Sequence, residues 1–285
     1  SEADLKAQLV HESDNDGYLP LGIKSAQDCF KHAQDFALKA ISLSGTPTTR
    51  QQWMDAKTGF NTVIPSWIFG IQMVADDNSA ASWKNFVSFM SSEADFGVAN
   101  TTYQAMRLCD ADLYKHIDKN DWRRRSWIDP EDAGKTSAYE KYATTLTAAE
   151  WSELPALASM KFHPADGNRS AFKEAAAIDL PIIRVEEMYY ILAECLLDDD
   201  PALARTYYDA VREHRGLEPL AADRDLTLDL INLERFKEYV GEGLTFFNNK
   251  RLNLPMVAAD GSVTYPPSNG IYVVPIPDPE YANRY

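Results

Sequence analysis

The chain has 285 residues, 45% of them apolar and 25% charged. Those are ordinary globular proportions and exclude a disordered, collagen-like or disulfide-knotted chain. Lys and Arg number 28 against 43 Asp and Glu, a net charge of −15 that makes nucleic acid an unexpected partner.

Cys29, Cys109 and Cys195 are odd in number, far apart and form no C-x-x-C, so neither a metal ribbon nor a disulfide framework is implied. No run approaches the ~18 apolar residues of a membrane span. The opening SEADLKAQLV lacks both a basic n-region and an apolar h-region and is not read as a signal peptide. It also lacks an initiator Met, so the chain is read as a processed or shortened form that begins inside an element.

Residues 3–11 read as the tail of a helix, followed by the turn-rich SDNDGYLP. Residues 24–43 predict an amphipathic helix, with Ala26, Phe30, Ala33, Ala37, Ala40 and Ile41 at steps of three and four. Gly45 and Pro47 end it. Residues 60–75 are apolar but broken by Pro65, and read as an extended segment entering a short helix or strand. Residues 76–109 form a loop-rich excursion, 110–118 a short helix with Asp110 as its N-cap, and 119–180 an irregular stretch of the length that tends to carry function.

The clearest pattern lies at 182–251. In IIRVEEMYYILAECLL the positions Val185, Met188, Tyr189, Leu192 and Leu196 make one apolar stripe. Asp200 and Pro201 then form an N-cap and first-turn proline. Leu203, Tyr207, Ala210 and Val211 mark a second helix, ending at Gly216 as a left-handed cap. This αα-hairpin, with Ala193 at the crossing, resembles a tetratricopeptide repeat, and one such hairpin needs stacked neighbours to bury its stripe. A third helix carries Leu226, Leu230, Leu233, Phe236 and Val240. The proline-rich end, 262–285, reads as extended, with IYVVPIP as a packed strand-like segment.

Catalytic and metal motifs fail in detail. His11, His32, His116, His163 and His214 make no H-E-x-x-H, and G-x-S-x-G, the P-loop and G-x-G-x-x-G are absent. Gly241-Glu242-Gly243 follows a helix rather than a strand and reads as a helix terminus. Residues 12–17 imitate the start of a calcium loop, but Ile23 stands where a bidentate Glu is required, so an Asx turn is the reading. No metal, cofactor or catalytic residue is expected.

Glu187 and Glu194 share a helix face. Pairing with Arg184, Arg212, Arg235 or Arg251 between helices is favoured over a like-charge pair with a raised pKa. The run Arg123-Arg124-Arg125 between Trp122 and Trp127 reads as a local salt-bridge site rather than a nucleic-acid contact. The positive feature is aromatic. Trp53, Trp67, Trp83, Trp122, Trp127 and Trp151 all lie in or near irregular segments, where flat rings beside polar residues suit the C–H face and hydroxyls of a sugar. The alternative for each tryptophan is that it pins a loop to the helical body.

The ordered set of segments resembles the SusD/RagB family. Asp179, Pro181, Arg184, Glu187, Tyr189, Ala193 and Glu194 follow its "D-x-P-x-x-R-x-x-E-x-Y-x-x-x-A-E" helix. Glu234, Arg235, Glu238, Glu242, Gly243, Phe247, Lys250 and Arg251 follow its "E-R-x-x-E-x-x-x-E-G" helix with the aromatic and basic residues after it. Val274-Pro275-Ile276-Pro277 with Glu280 is similar to its "L-x-P-I-P-x-x-E" ending, Ile68–Gln72 to its "E-V-I-F-x-I-Q" strand, and Asp118–Arg123 to its "D-x-R" segment. Leu244, Thr245 and Asn248 depart from the family's "E-G-H-R-W-F-D". A further N-terminal portion, with a lipidated Cys and additional repeats, is not in this chain.

The resemblance implies a mainly all-α fold of tetratricopeptide-like stacked hairpins, with long irregular loops and few short strands. It implies one unit over 1–285, with repeat-like helices at 1–59, a loop-rich binding face at 60–180, and a repeat hairpin plus C-terminal segment at 181–285. It implies a lipid-anchored protein on the surface of the outer membrane, with a SusC-like TonB-dependent transporter as partner and a polysaccharide, oligosaccharide or other nutrient oligomer as cargo, held without catalysis. Arg184, Glu187, Glu194, Glu234 and Arg235 would then be scaffold. The interval 76–127 is the expected contact surface, through Trp83, Phe96, Tyr103, Trp122 and Trp127. The alternatives are a repeat scaffold that binds another protein without glycan and, third, a glycan-active enzyme with paired carboxylates.

Overall fold

The computed structural model describes residues 25–54, 63–71, 111–127, 129, 156–157, 161, 179–258 and 261–272. The expected 3–11 helix, the 12–17 turn, the 76–109 excursion, nearly all of 130–178 and the end after Tyr272 lie outside the described residues. The described part is mainly helical with short two-stranded ribbons. It divides into two compact units, Ser1–Arg235 and Phe236–Tyr285.

In the first unit, helix α1 (Ala26–Ser44) starts where the Ser25 hydroxyl accepts the Asp28 N–H at 3.1 Å. It stops at Gly45, whose φ of +84° takes the chain out of the helix while its N–H donates to the Ile41 carbonyl. A single turn, α2 (Arg50–Met54), follows. Strand β1 (Trp67–Ile71) pairs antiparallel with β2 (Leu180–Arg184), with Trp67 opposite Arg184 and Ile71 opposite Leu180. The short helix α3 (Ala111–Lys115) and a 3-10 turn, Trp122–Ser126, lie between them in sequence.

The start of the expected 182–197 helix is strand. Pro181 and the β-branched Ile182 and Ile183 suit an extended ribbon, and Trp67–Ile71 supplies the partner. Helix α4 (Val185–Cys195) begins only after them. Its first turn carries Glu186 and Glu187, which the helix dipole favours. Helix α5 (Pro201–His214) returns antiparallel in the expected way: the Asp200 carboxylate accepts the Leu203 N–H at 3.1 Å, and Pro201 occupies the first turn. The hairpin packs on α1, where Ala37, Leu192, Leu196 and Ala204 are buried together with Ile41, Met188, Ile191 and Tyr207 around them. Small alanines on α1 and α5 let the helix axes approach the Leu-bearing face of α4.

Helix α6 (Leu228–Glu238) is where periodicity misjudges the buried face. Leu226, Leu230 and Leu233 are only half-buried and Phe236 is exposed, whereas Ile231 and Glu234 are fully inside. Spacing assumes that apolar side chains define the inner face. Here a carboxylate goes in because two arginines neutralise it.

In the second unit, Gly241 (φ +80°) and Gly243 (φ +82°) make the turn before α7 (Leu244–Leu252), so Gly241-Glu242-Gly243 is a helix boundary. Asn253 ends α7 in the left-handed conformation, with its own N–H on the Lys250 carbonyl and the Leu254 N–H on that of Asn249. Strands β3 (Met256–Val257) and β4 (Thr264–Tyr265) form a small ribbon, and α8 (Asn269–Tyr272) closes the unit. Tyr272 packs against Phe246 and its hydroxyl donates to the Leu254 carbonyl. Ile271 and Tyr272 are therefore helical rather than the start of a strand-like IYVVPIP.

Candidate functional site

The expected contact interval enters the described structure at residues 111–127. Asp121 is the local organiser. One carboxylate oxygen accepts the Arg123 N–H and Nε, both at 2.9 Å, and the other accepts Arg123 Nη2 at 2.6 Å. An aspartate two residues before an arginine thus closes a 3-10 turn on itself, by the N-cap chemistry that favours Asp at helix starts. Arg123 is 1% exposed, and its Nη2 also meets Glu234 Oε2 at 2.5 Å. Burial alone pulls the Arg123 guanidinium down, but the Asp121 and Glu234 carboxylates outweigh it and hold it well above the usual arginine value. It stays charged at any working pH. Arg212 of α5 completes the set, with Nη1 3.1 Å from Glu234 Oε1. Arg124 turns the other way, onto Asp129 and over the Tyr114 ring at 4.2 Å. The basic run is a salt-bridge site.

Trp122 and Trp127 lie at opposite ends of this turn and have different surroundings. Trp122 is half-buried. Its backbone N–H donates to the Arg215 carbonyl at 2.9 Å, and the Arg50 guanidinium lies over its ring at 5.4 Å. Its indole edge rests on Gly216, where a Cβ would come within 2.3 Å of Nε1. Trp127 is 3% exposed, so its ring has no free face for a sugar. The packing alternative describes it better, as it does Trp53 and Trp67, which are also buried. Trp83, Phe96 and Tyr103 lie outside the described residues.

A second buried charge centre supports the same region. Glu186, fully buried, accepts the Thr48 N–H at 2.8 Å, the Thr48 hydroxyl at 2.5 Å and Arg215 Nη2 at 2.8 Å through one oxygen. Its other oxygen lies 3.2 Å from Arg184 Nη1. Arg215 also donates to the Thr48 carbonyl at 2.8 Å and sits over Trp53 at 4.9 Å. Arg235 pairs with Glu194. Inter-helix pairing of the α4 glutamates is therefore present, at Glu186 and at Glu194. Among the described residues no group of three or more His, Cys, Asp or Glu is placed to hold a metal ion.

A model of the SusD family matches residues 86–277. The chain belongs to the SusD family. Among solved structures it is similar to a SusD-like carbohydrate binding protein from Bacteroides vulgatus, with a TM-score of 0.60 and 18% identity over 89% of this chain and 54% of that one. It is similar to a surface glycan-binding protein A from Bacteroides thetaiotaomicron in complex with laminarihexaose, with a TM-score of 0.61 and 19% identity over 90% of this chain and 58% of that one. A SusD superfamily protein from Bacteroides thetaiotaomicron gives a TM-score of 0.63 at 18% identity over 89% of this chain and 55% of that one. At such identities the likeness shows a shared fold. The chain spans little more than half the length of these structures. No curated protein matches it significantly.

On this SusD-family body the residues that carry the sequence resemblance have structural roles. Asp121 and Arg123 of the "D-x-R" segment lock a turn. Arg184, Glu194, Glu234 and Arg235 all enter ion pairs. Position 216 was legible beforehand only as a helix cap. Its contact with Trp122 has no signal in the sequence, since 94 residues separate the two. Glu186 reads in the sequence as one more glutamate on the helix, and its pairing with Thr48, 138 residues away, and with Arg184 and Arg215 marks it out.

Proposed function

We propose that the chain is a non-catalytic glycan-binding protein that holds an oligosaccharide at the cell surface for a SusC-like TonB-dependent transporter in the outer membrane. The observation that carries the reading is membership of the SusD family, together with a fold shared with a protein solved in complex with laminarihexaose. The charged residues described above neutralise one another inside the protein, which suits a rigid platform rather than acid/base work. Cargo contact is assigned to ring faces at Trp83, Phe96, Tyr103 and Trp122. Trp127, 3% exposed, is left out of that set.

Each ring supplies about 1 kcal/mol beyond the area it covers, so affinity is modest and several rings share it. Among the described residues no helix is long and apolar enough to cross a membrane.

The test is titration calorimetry of the chain against neutral oligosaccharides, laminarihexaose among them. Binding to at least one sugar is expected, with about a fivefold loss for Trp83→Ala or Phe96→Ala, the equivalent of ~1 kcal/mol. Unchanged affinity in both variants removes the assigned contacts. Failure to bind any sugar removes the glycan reading. Release of reducing ends from a polysaccharide replaces it with an enzyme.

A further inference from the structure

We propose that the last turn of α5 sets the pose of Trp122, with Gly216 as the positioning residue, so that the ring is already oriented when ligand arrives. The ligand half of this inference rests on the glycan reading above; the positioning half does not.

Three separate constraints converge on Trp122. Its main chain is held by the Arg215 carbonyl at 2.9 Å. Its ring lies beneath the Arg50 guanidinium at 5.4 Å. Its edge occupies the space that a side chain at 216 would fill: a Cβ there would lie 2.3 Å from Nε1, 2.6 Å from Cε2 and 3.0 Å from the Asn120 carbonyl. Gly216 has a φ of +78°, so any other residue is also strained in its backbone. The turn that provides Arg215 and Gly216 is itself pinned. Arg215 reaches Glu186 and the Thr48 carbonyl, and Arg212 shares Glu234 with Arg123, the residue that follows Trp122.

A helix cap alone needs none of this. A left-handed glycine that serves only to stop α5 is indifferent to what lies outside it. Here the missing side chain is what admits the indole. Holding a ring in its bound pose beforehand removes part of the ordering cost of binding, which is the physical use of such a clamp.

The experiment labels the protein with 5-fluorotryptophan and follows the Trp122 fluorine resonance without ligand, assigned by its loss in Trp122→Phe. Gly216→Ala is expected to shift that resonance by more than its line width while Trp67, on β1, stays in place. Arg212→Gln removes the ion pair with Glu234 and the guanidinium's hydrogen bonds to the Glu218 carbonyl, and is expected to broaden or shift the same line, whereas Arg212→Lys, which keeps the charge, restores it. With laminarihexaose as the probe, both disruptive variants are expected to lose at least about fivefold in affinity. An unmoved Trp122 resonance in folded Gly216→Ala and Arg212→Gln overturns the proposal, and if Gly216→Ala does not fold, Arg212→Gln alone decides. A shifted resonance in a protein that binds no sugar at all upholds the positioning role and overturns the glycan reading instead.

Discussion

Replacing Glu186 by alanine removes a carboxylate on which two buried guanidiniums converge. Glu186 is fully buried and one of its oxygens accepts three hydrogen bonds, from the Thr48 N–H, the Thr48 hydroxyl and Arg215 Nη2, while the other lies 3.2 Å from Arg184 Nη1. Arg184 and Arg215 are 1% and 0% exposed. Truncation leaves both guanidiniums inside without this carboxylate. Removing one member of a buried ion pair costs about 3–5 kcal/mol, and three hydrogen bonds to a charged group at roughly 1.5 kcal/mol each give the same size. At about 2–4 °C per kcal/mol for a domain of this length, the melting temperature is expected to fall by roughly 6–20 °C. Urea unfolding followed by circular dichroism measures the loss directly. Glu186→Gln keeps the shape and an acceptor oxygen and is expected to lose less. Glu213→Gln, an exposed change on α5, should stay within about 0.5 kcal/mol of the parent. A loss below about 1 kcal/mol for Glu186→Ala would show that the buried arginines are satisfied without it, and the account of the platform as a charge-locked body fails.

Asp200→Ala removes the carboxylate that accepts the Leu203 N–H, and a loss of about 1 kcal/mol is expected in the same urea titration; no loss would mean that Pro201 alone starts α5. Tyr208 is buried, and burial together with the nearby Glu234 raises its phenol well above the ordinary tyrosine value. The folded protein therefore holds that proton longer than the unfolded chain. Its contribution to stability is complete below about pH 10 and declines as pH rises beyond it. In a difference titration at 295 nm, Tyr208→Phe should remove no absorbance change near pH 10; loss of an ordinary phenolate step there contradicts the burial.

Local spacing in the sequence marks out the hairpin well. Apolar steps of three and four delimit α1 and α5, Asp200 with Pro201 marks a helix start, and Gly45 and Gly216 mark two helix stops. Each depends on backbone chemistry within a few residues, and such chemistry reads the same in any fold. The "D-x-R" segment belongs to the same class, because Asp121 caps the turn in which Arg123 sits.

What the tertiary structure alone decided is which polar residues go inside. Leu226, Leu230 and Leu233 looked like the buried edge of α6, yet Glu234 is the residue at the centre, because Arg123 and Arg212 meet it there. Ile182 and Ile183 looked like the first turn of α4 and became strand once Trp67–Ile71 came alongside. Trp127 looked available and is enclosed, while Trp122 found its place over a glycine near the end of a distant helix. The partners that settle these cases are 111 residues away for Arg123 and Glu234 and 138 for Glu186 and Thr48. A carboxylate's desolvation cost is set by the charges that surround it in space, and no periodicity along the chain records where those charges will be.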